Sequence, residues 1–96
     1  ELVRLQLDLF ATDEAALLEE AEEADAAWTS ADRDETEERY GDYQLVVDAI
    51  GERLYDLREA YAATLEDDAA ADYRNAFDSA AGKRFRRYAG FLEDEE

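Results

Sequence analysis

Carboxylates and one short basic run are the side chains of this 96-residue chain whose spacing could support chemistry. Glu19, Glu20, Glu22 and Glu23 form one acidic group, and Asp67, Asp68 and Asp72 form another. Acids at i and i+4 share a helix face, so either group could offer oxygens to magnesium or calcium. The segment Asp32 to Tyr43 fails as a calcium loop, because it lacks the central glycine and the closing glutamate of an EF-hand. In a chain with 28 acidic residues such groups arise by composition alone, and charge runs ordinarily mark solvated faces. The expectation is no metal site and no cofactor.

The basic run is Lys83, Arg84, Arg86 and Arg87, placed around Phe85. Residues 1–82 carry the entire formal charge of −18, whereas residues 83–96 balance to zero. A basic cluster with an aromatic residue can contact phosphates and stack on bases. Two structural readings weigh more. Cations in the last turns of a helix complement its dipole, and they can also pair with acids on neighbouring helices or another subunit. Four cations make a small electrostatic footprint, and nucleic-acid binding weakens steeply with salt. The run is therefore a candidate partner or phosphate contact, and a small nucleic-acid-contacting regulator is the alternative function.

Most catalytic mechanisms lack their parts. The chain has no cysteine and no histidine, which removes thiol nucleophiles, imidazole bases, the usual zinc sites and histidine-dependent di-iron bundles. Its glycines stand singly at positions 41, 51, 82 and 90, so no phosphate-cradling loop exists. Ser30 and Ser79 have no activating base beside them. An enzyme is not expected.

The kind of acidity is informative. Lys83 is the sole lysine among ten cations, alanine is abundant, and methionine and proline are absent along with cysteine and histidine. This composition resembles that of cytoplasmic proteins of haloarchaea, which accumulate potassium chloride. The resemblance spans the whole chain, concerns composition only, and implies habitat rather than activity. Physical chemistry supports it. At 1 M salt the Debye length falls to about 3 Å, so carboxylates a helical turn apart repel weakly. Net charge then maintains solubility where a neutral surface would salt out. No apolar stretch approaches the ~20 residues of a membrane span, and the first ten residues lack the features of a secretory signal. A cytoplasmic location is expected.

The elements that must position these groups read as helices. Thr36, Tyr40, Tyr43, Val47, Ile50, Leu54, Leu57, Tyr61 and Thr64 alternate steps of four and three, which predicts a helix over about 33–65. Gly41-Asp42 is a candidate break within it, with Asp42 capping a helix that starts at Tyr43. Tyr73, Phe77, Ala81, Phe85 and Tyr88 predict a further helix over about 68–89. Asp67 or Asp68 would be its N-cap, Gly90 its C′ residue, and Phe91 would fold back toward Phe85.

The first stretch supports two readings. Val3, Leu5, Leu7 and Leu9 alternate with polar residues, as in a half-buried strand over 2–10 followed by a helix start at Thr12. Val3, Leu7, Phe10, Leu17, Ala21, Ala24 and Trp28 also share one helical stripe, broken at Glu14. Leucine favours helix, so one helix over about 3–28 is preferred.

The expected architecture is all-α: a single domain over 1–96, folded as a three-helix antiparallel bundle. Its expected role is non-enzymatic association, most simply as a homodimer, because a thin core of this size is commonly completed by oligomerisation. Leu2, Leu5 and Leu9 form a second apolar row that the same core cannot fully cover, and Tyr55 lies off its helix's main stripe. These four residues are the candidate interface.

Overall fold

The computed structural model describes residues 2–89, and those residues are all-helical, with no strand among them. Helix α1 spans Leu2–Asp13, α2 spans Ala15–Thr29, α3 spans Thr36–Ala62 and α4 spans Asp67–Arg84. The expected count of three is therefore corrected to four. The extra element arises at Glu14, where the backbone leaves helical values (φ −106°, ψ 25°). The hydrogen-bond ladder continues around it, from Glu14 N–H to Phe10 C=O at 2.8 Å and from Leu18 N–H to Glu14 C=O at 3.0 Å. Glu14 occupies a core-facing register, where a carboxylate cannot be buried alone. It is half-buried and accepts from Arg53 Nη1 of α3 at 3.0 Å.

The strand reading of residues 2–10 is overturned. A strand would have buried Val3, Leu5, Leu7 and Leu9 together. Val3, Leu7 and Phe10 are only 5%, 1% and 5% exposed, whereas Leu5 and Leu9 are 54% and 63% exposed. Helical register, with its i, i+4, i+7 repeat, decides which apolar residues meet the core.

Contacts along the chain set the direction of each arm. Trp28 meets Tyr43 and Tyr40, and Glu14 meets Arg53, so α3 runs antiparallel to α2. Tyr61 meets Tyr73 and Arg58 meets Asp78, so α4 runs antiparallel to α3. Tyr73 reaches Gln6 and Phe85 packs edge-on against Phe10 at 5.5 Å, so α4 runs alongside α1 in the same direction. Leu7, Ile50, Leu54 and Phe77 are the largest fully buried side chains of the shared core.

Several sequence expectations shift at element ends. Helix α3 passes through Gly41 and Asp42 without a break. Gly41 is exposed, and a Cβ there would meet nothing within 4 Å, so neither packing nor backbone strain calls for glycine at this position. Helix α4 starts at Asp67, with Glu66 in the N-cap position and no side-chain cap. Asp67 and Asp68 act instead through their charge in the first turn. At its other end α4 stops at Arg84, five residues short of the expected Ala89. The chain turns at Phe85 (φ −120°, ψ 51°), and Tyr88 and Ala89 N–H groups both bond to the Phe85 carbonyl. That turn carries Phe85, Tyr88 and Ala89 into the core. The expected roles of Gly90 and Phe91 fall outside the described residues.

The arms differ in length. At ~1.5 Å per residue the 18 residues of α4 cover roughly 27 Å, whereas the 27 residues of α3 cover roughly 40 Å. The paired ends of α2 and α3 consequently project past α4, and Tyr40, expected in the core stripe, is 45% exposed.

Candidate interaction surfaces

The leucine row stands on α1. Leu2, Leu5 and Leu9 are 44%, 54% and 63% exposed, on the flank opposite Val3, Leu7 and Phe10. Steps of three and four place them in line on one helix face. Leu9 also borders a groove of about 550 Å³ between α1 and α3, lined further by Gln6, Phe10, Arg53, Asp56 and Leu57. Protein contacts commonly combine such an apolar line with a polar border.

Tyr55 belongs elsewhere. It is half-buried, packs against the core, and lies under the Arg58 guanidinium at 4.9 Å. The structure does not make it an exposed partner to the leucine row.

The basic run is divided between two duties. Arg84 pairs with Asp8 of α1, and Arg87 reaches both Glu22 and Asp25 of α2, the latter at 3.2 Å. The two arginines also lie over their own neighbours, Arg84 over Phe85 and Arg87 over Tyr88. These contacts tie the turn after α4 to α1 and α2. Lys83 and Arg86 remain exposed. Arg84 and Arg87 are engaged by the chain's own carboxylates yet stay exposed, with side chains 39% and 43% accessible.

The acidic runs do not converge. Glu19, Glu20, Glu22 and Glu23 are exposed along α2, and Glu22 is held by Arg87. Glu66, Asp67 and Asp68 border a hollow at the start of α4. Among the described residues no group of three or more His, Cys, Asp or Glu side chains is placed to hold a metal ion.

One polar cluster lay outside the sequence reading. Arg58 on α3 is 4% exposed and its Nη1 donates to both Asp78 carboxylate oxygens, at 2.7 and 3.0 Å. Its Nε donates to Glu59 at 2.8 Å, and Glu59 also accepts from Arg74 at 2.9 and 3.0 Å. The cluster spans the α3–α4 seam. Burial opposes the charge on Arg58, but hydrogen bonding and attraction from Asp78 and then Glu59 outweigh it, so its pKa is raised. The hydrogen bond from Arg74 leads in holding Glu59 below the ordinary glutamate value, with Arg58 adding to it against burial. A signal was present in the sequence. Arg58 falls four residues after Leu54 and three before Tyr61, so a charged residue sits on the core stripe.

Tyr73 and Tyr88 are the buried phenols, and burial raises the pKa of both. Tyr73 donates to Gln6 Oε1 at 2.7 Å. The Tyr88 hydroxyl is buried with no hydrogen-bond partner among the described residues, which costs on the order of 1–3 kcal/mol. Burial of the ring in the core works against that cost.

No family model, curated protein or solved structure matches this chain. Among the described residues no helix is long and apolar enough to cross a membrane. The surfaces themselves therefore carry the functional argument.

Proposed function

We propose that this protein is a non-enzymatic interaction module that pairs with a second copy of itself in the salt-rich cytoplasm of a haloarchaeon. The exposure of Leu2, Leu5 and Leu9 in one line on α1 carries the reading. A twofold contact is the simplest cover, because one patch then serves both subunits. Val3, Leu7 and Phe10 anchor the same helix in the core, so the row is presented on a fixed element. Rigid presentation lowers the ordering cost of association.

Light scattering in high salt is expected to give about twice the 10.9 kDa chain mass. The variant carrying Leu2→Gln, Leu5→Gln and Leu9→Gln is expected to give the monomer mass with unchanged helicity, since none of the three side chains is buried. A monomeric parent chain at high micromolar concentration would remove the proposal.

The salt-adapted reading rests on composition and has its own test. Like charges adjoin at Glu19–Glu20, Glu22–Glu23 and Glu37–Glu38, and all six residues are exposed. In dilute buffer the Debye length is near 30 Å, so these charges repel across most of the molecule. Helical ellipticity and thermal midpoint are both expected to rise from dilute buffer to multimolar potassium chloride. Full helicity and an unshifted midpoint in dilute buffer would contradict this reading.

A further inference from the structure

The leucine row and the groove beside it are displaced from one another along α1. Leu2 and Leu5 stand in the first half of the helix, both exposed. The groove between α1 and α3 takes its α1 lining from Gln6, Leu9, Phe10 and Asp13, so it opens toward the other end. Leu9 belongs to both features, closing the row and bordering the groove. Phe10 and Leu57 give the groove apolar lining, and Arg53 and Asp56 give it a polar border from α3. A stable protein contact ordinarily covers about 800 Å² on each partner, more than three half-exposed leucines supply. A contact built on the row must therefore spread onto neighbouring surface. The groove is the apolar surface continuous with it.

We propose that two copies pair through antiparallel α1 helices, with Leu5 near the twofold axis and Leu2 of each copy seated in the α1–α3 groove of the other. This rests on the homodimer reading above and adds its orientation and the groove. Leu2 precedes Leu9 by seven residues, ~10 Å along the helix. A twofold axis perpendicular to α1 reverses that order, which sets Leu2 of one copy opposite Leu9 of the other and against its groove. The exchange is reciprocal, so one protrusion and one hollow on each copy satisfy both. A parallel pair would set groove against groove and Leu2 against Leu2, and both hollows would stay unfilled. At 1 M salt the Debye length is about 3 Å, so the fit of the side chains, rather than the net charge of −18, selects the orientation.

The chain has no cysteine, so introduced thiols report the contact without background. Leu2→Cys and Leu9→Cys each replace an exposed side chain, and a disulfide requires Cα atoms within about 7 Å. In high salt and a glutathione redox buffer, neither variant alone is expected to form a disulfide-linked dimer, whereas an equal mixture of the two is. Leu57→Gln is expected to weaken the dimer about tenfold with helicity unchanged, because it removes apolar lining from the groove. Cross-linking of Leu2→Cys with itself overturns the proposal in favour of a parallel pair. Absence of a cross-link in the mixture overturns it as well. So does unchanged affinity in folded Leu57→Gln, which would leave the groove to a different occupant. Where Leu57→Gln loses helicity, the disulfide pattern, carried by exposed positions, decides alone. Light scattering of the parent chain reads the homodimer separately. A monomer removes both readings, whereas a dimer with the wrong disulfide pattern removes this one only.

Discussion

Phe77→Ala is expected to destabilise the fold by about 3–5 kcal/mol, the range for truncating a buried phenylalanine. Phe77 is fully buried at the centre of α4, beside Tyr73 at 5.9 Å, in the core shared with Leu7, Ile50 and Leu54. Two effects add. The lost ring forfeits its transfer free energy, and the surrounding side chains, held by three different arms, cannot collapse to fill the cavity. The 96-residue chain has a small core, so one such loss is a large part of a typical net stability of about 5–15 kcal/mol. Chemical denaturation in high salt measures the effect. Glu20→Ala, on the exposed face of α2, is expected to stay within about 0.5 kcal/mol. A Glu20→Ala loss comparable to that of Phe77→Ala would mean that the face assignment of α2 is wrong.

Arg58→Met is the second large effect, at about 2–3 kcal/mol. Removing one partner of a buried ion pair ordinarily costs about 3–5 kcal/mol, because the other charge is left uncompensated. Here the value is discounted, since the Asp78 and Glu59 side chains are 34% and 30% exposed and water can partly solvate them. Methionine retains much of the apolar stem that packs on Tyr55.

Acid titration of stability gives an independent reading of the same cluster. Glu59 has its pKa lowered in the fold from the ordinary 4.5. A carboxylate with a depressed folded-state pKa binds fewer protons when folded than when unfolded. Its contribution is therefore present above the unfolded value and is lost as pH falls through the folded one. Urea midpoints in high salt, where repulsion among the other acids is screened, are expected to decline as pH drops below 4.5. Arg58→Met is expected to make that decline shallower without abolishing it, because the hydrogen bond from Arg74 is the larger cause of the shift. An unchanged acid profile in the variant would show that Arg58 and Glu59 are not coupled.

The sequence by itself determined the predominantly helical class, the register of α3 and α4 and much of the core. Val3, Leu7 and Phe10 in α1, Ile50 and Leu54 in α3, and Tyr73, Phe77 and Ala81 in α4 are buried where helical spacing places them. The same spacing identified Leu2, Leu5 and Leu9 as a row off the core face. These features are local. A period of 3.6 residues fixes which side chains share a face whatever the rest of the chain does. Even the interruption at Glu14 was visible as the one charged position in an apolar stripe.

Tertiary structure decided what periodicity cannot encode. Whether residues 2–10 form a strand or a helix depended on having a core to meet, and α3 and α4 supplied one. Helix α4 stops at Arg84 because the turn lets Phe85 reach Phe10 and Arg87 reach Glu22 and Asp25, contacts 62 to 75 residues apart in sequence. Tyr40 is exposed although it lies on the same stripe as buried Ile50 and Leu54, because its end of α3 extends past α4. The sharing of Glu59 between Arg58 and Arg74 likewise needs α4 beside α3. Pairing of charges is set by the distance between arms, and sequence spacing fixes distance only within one arm.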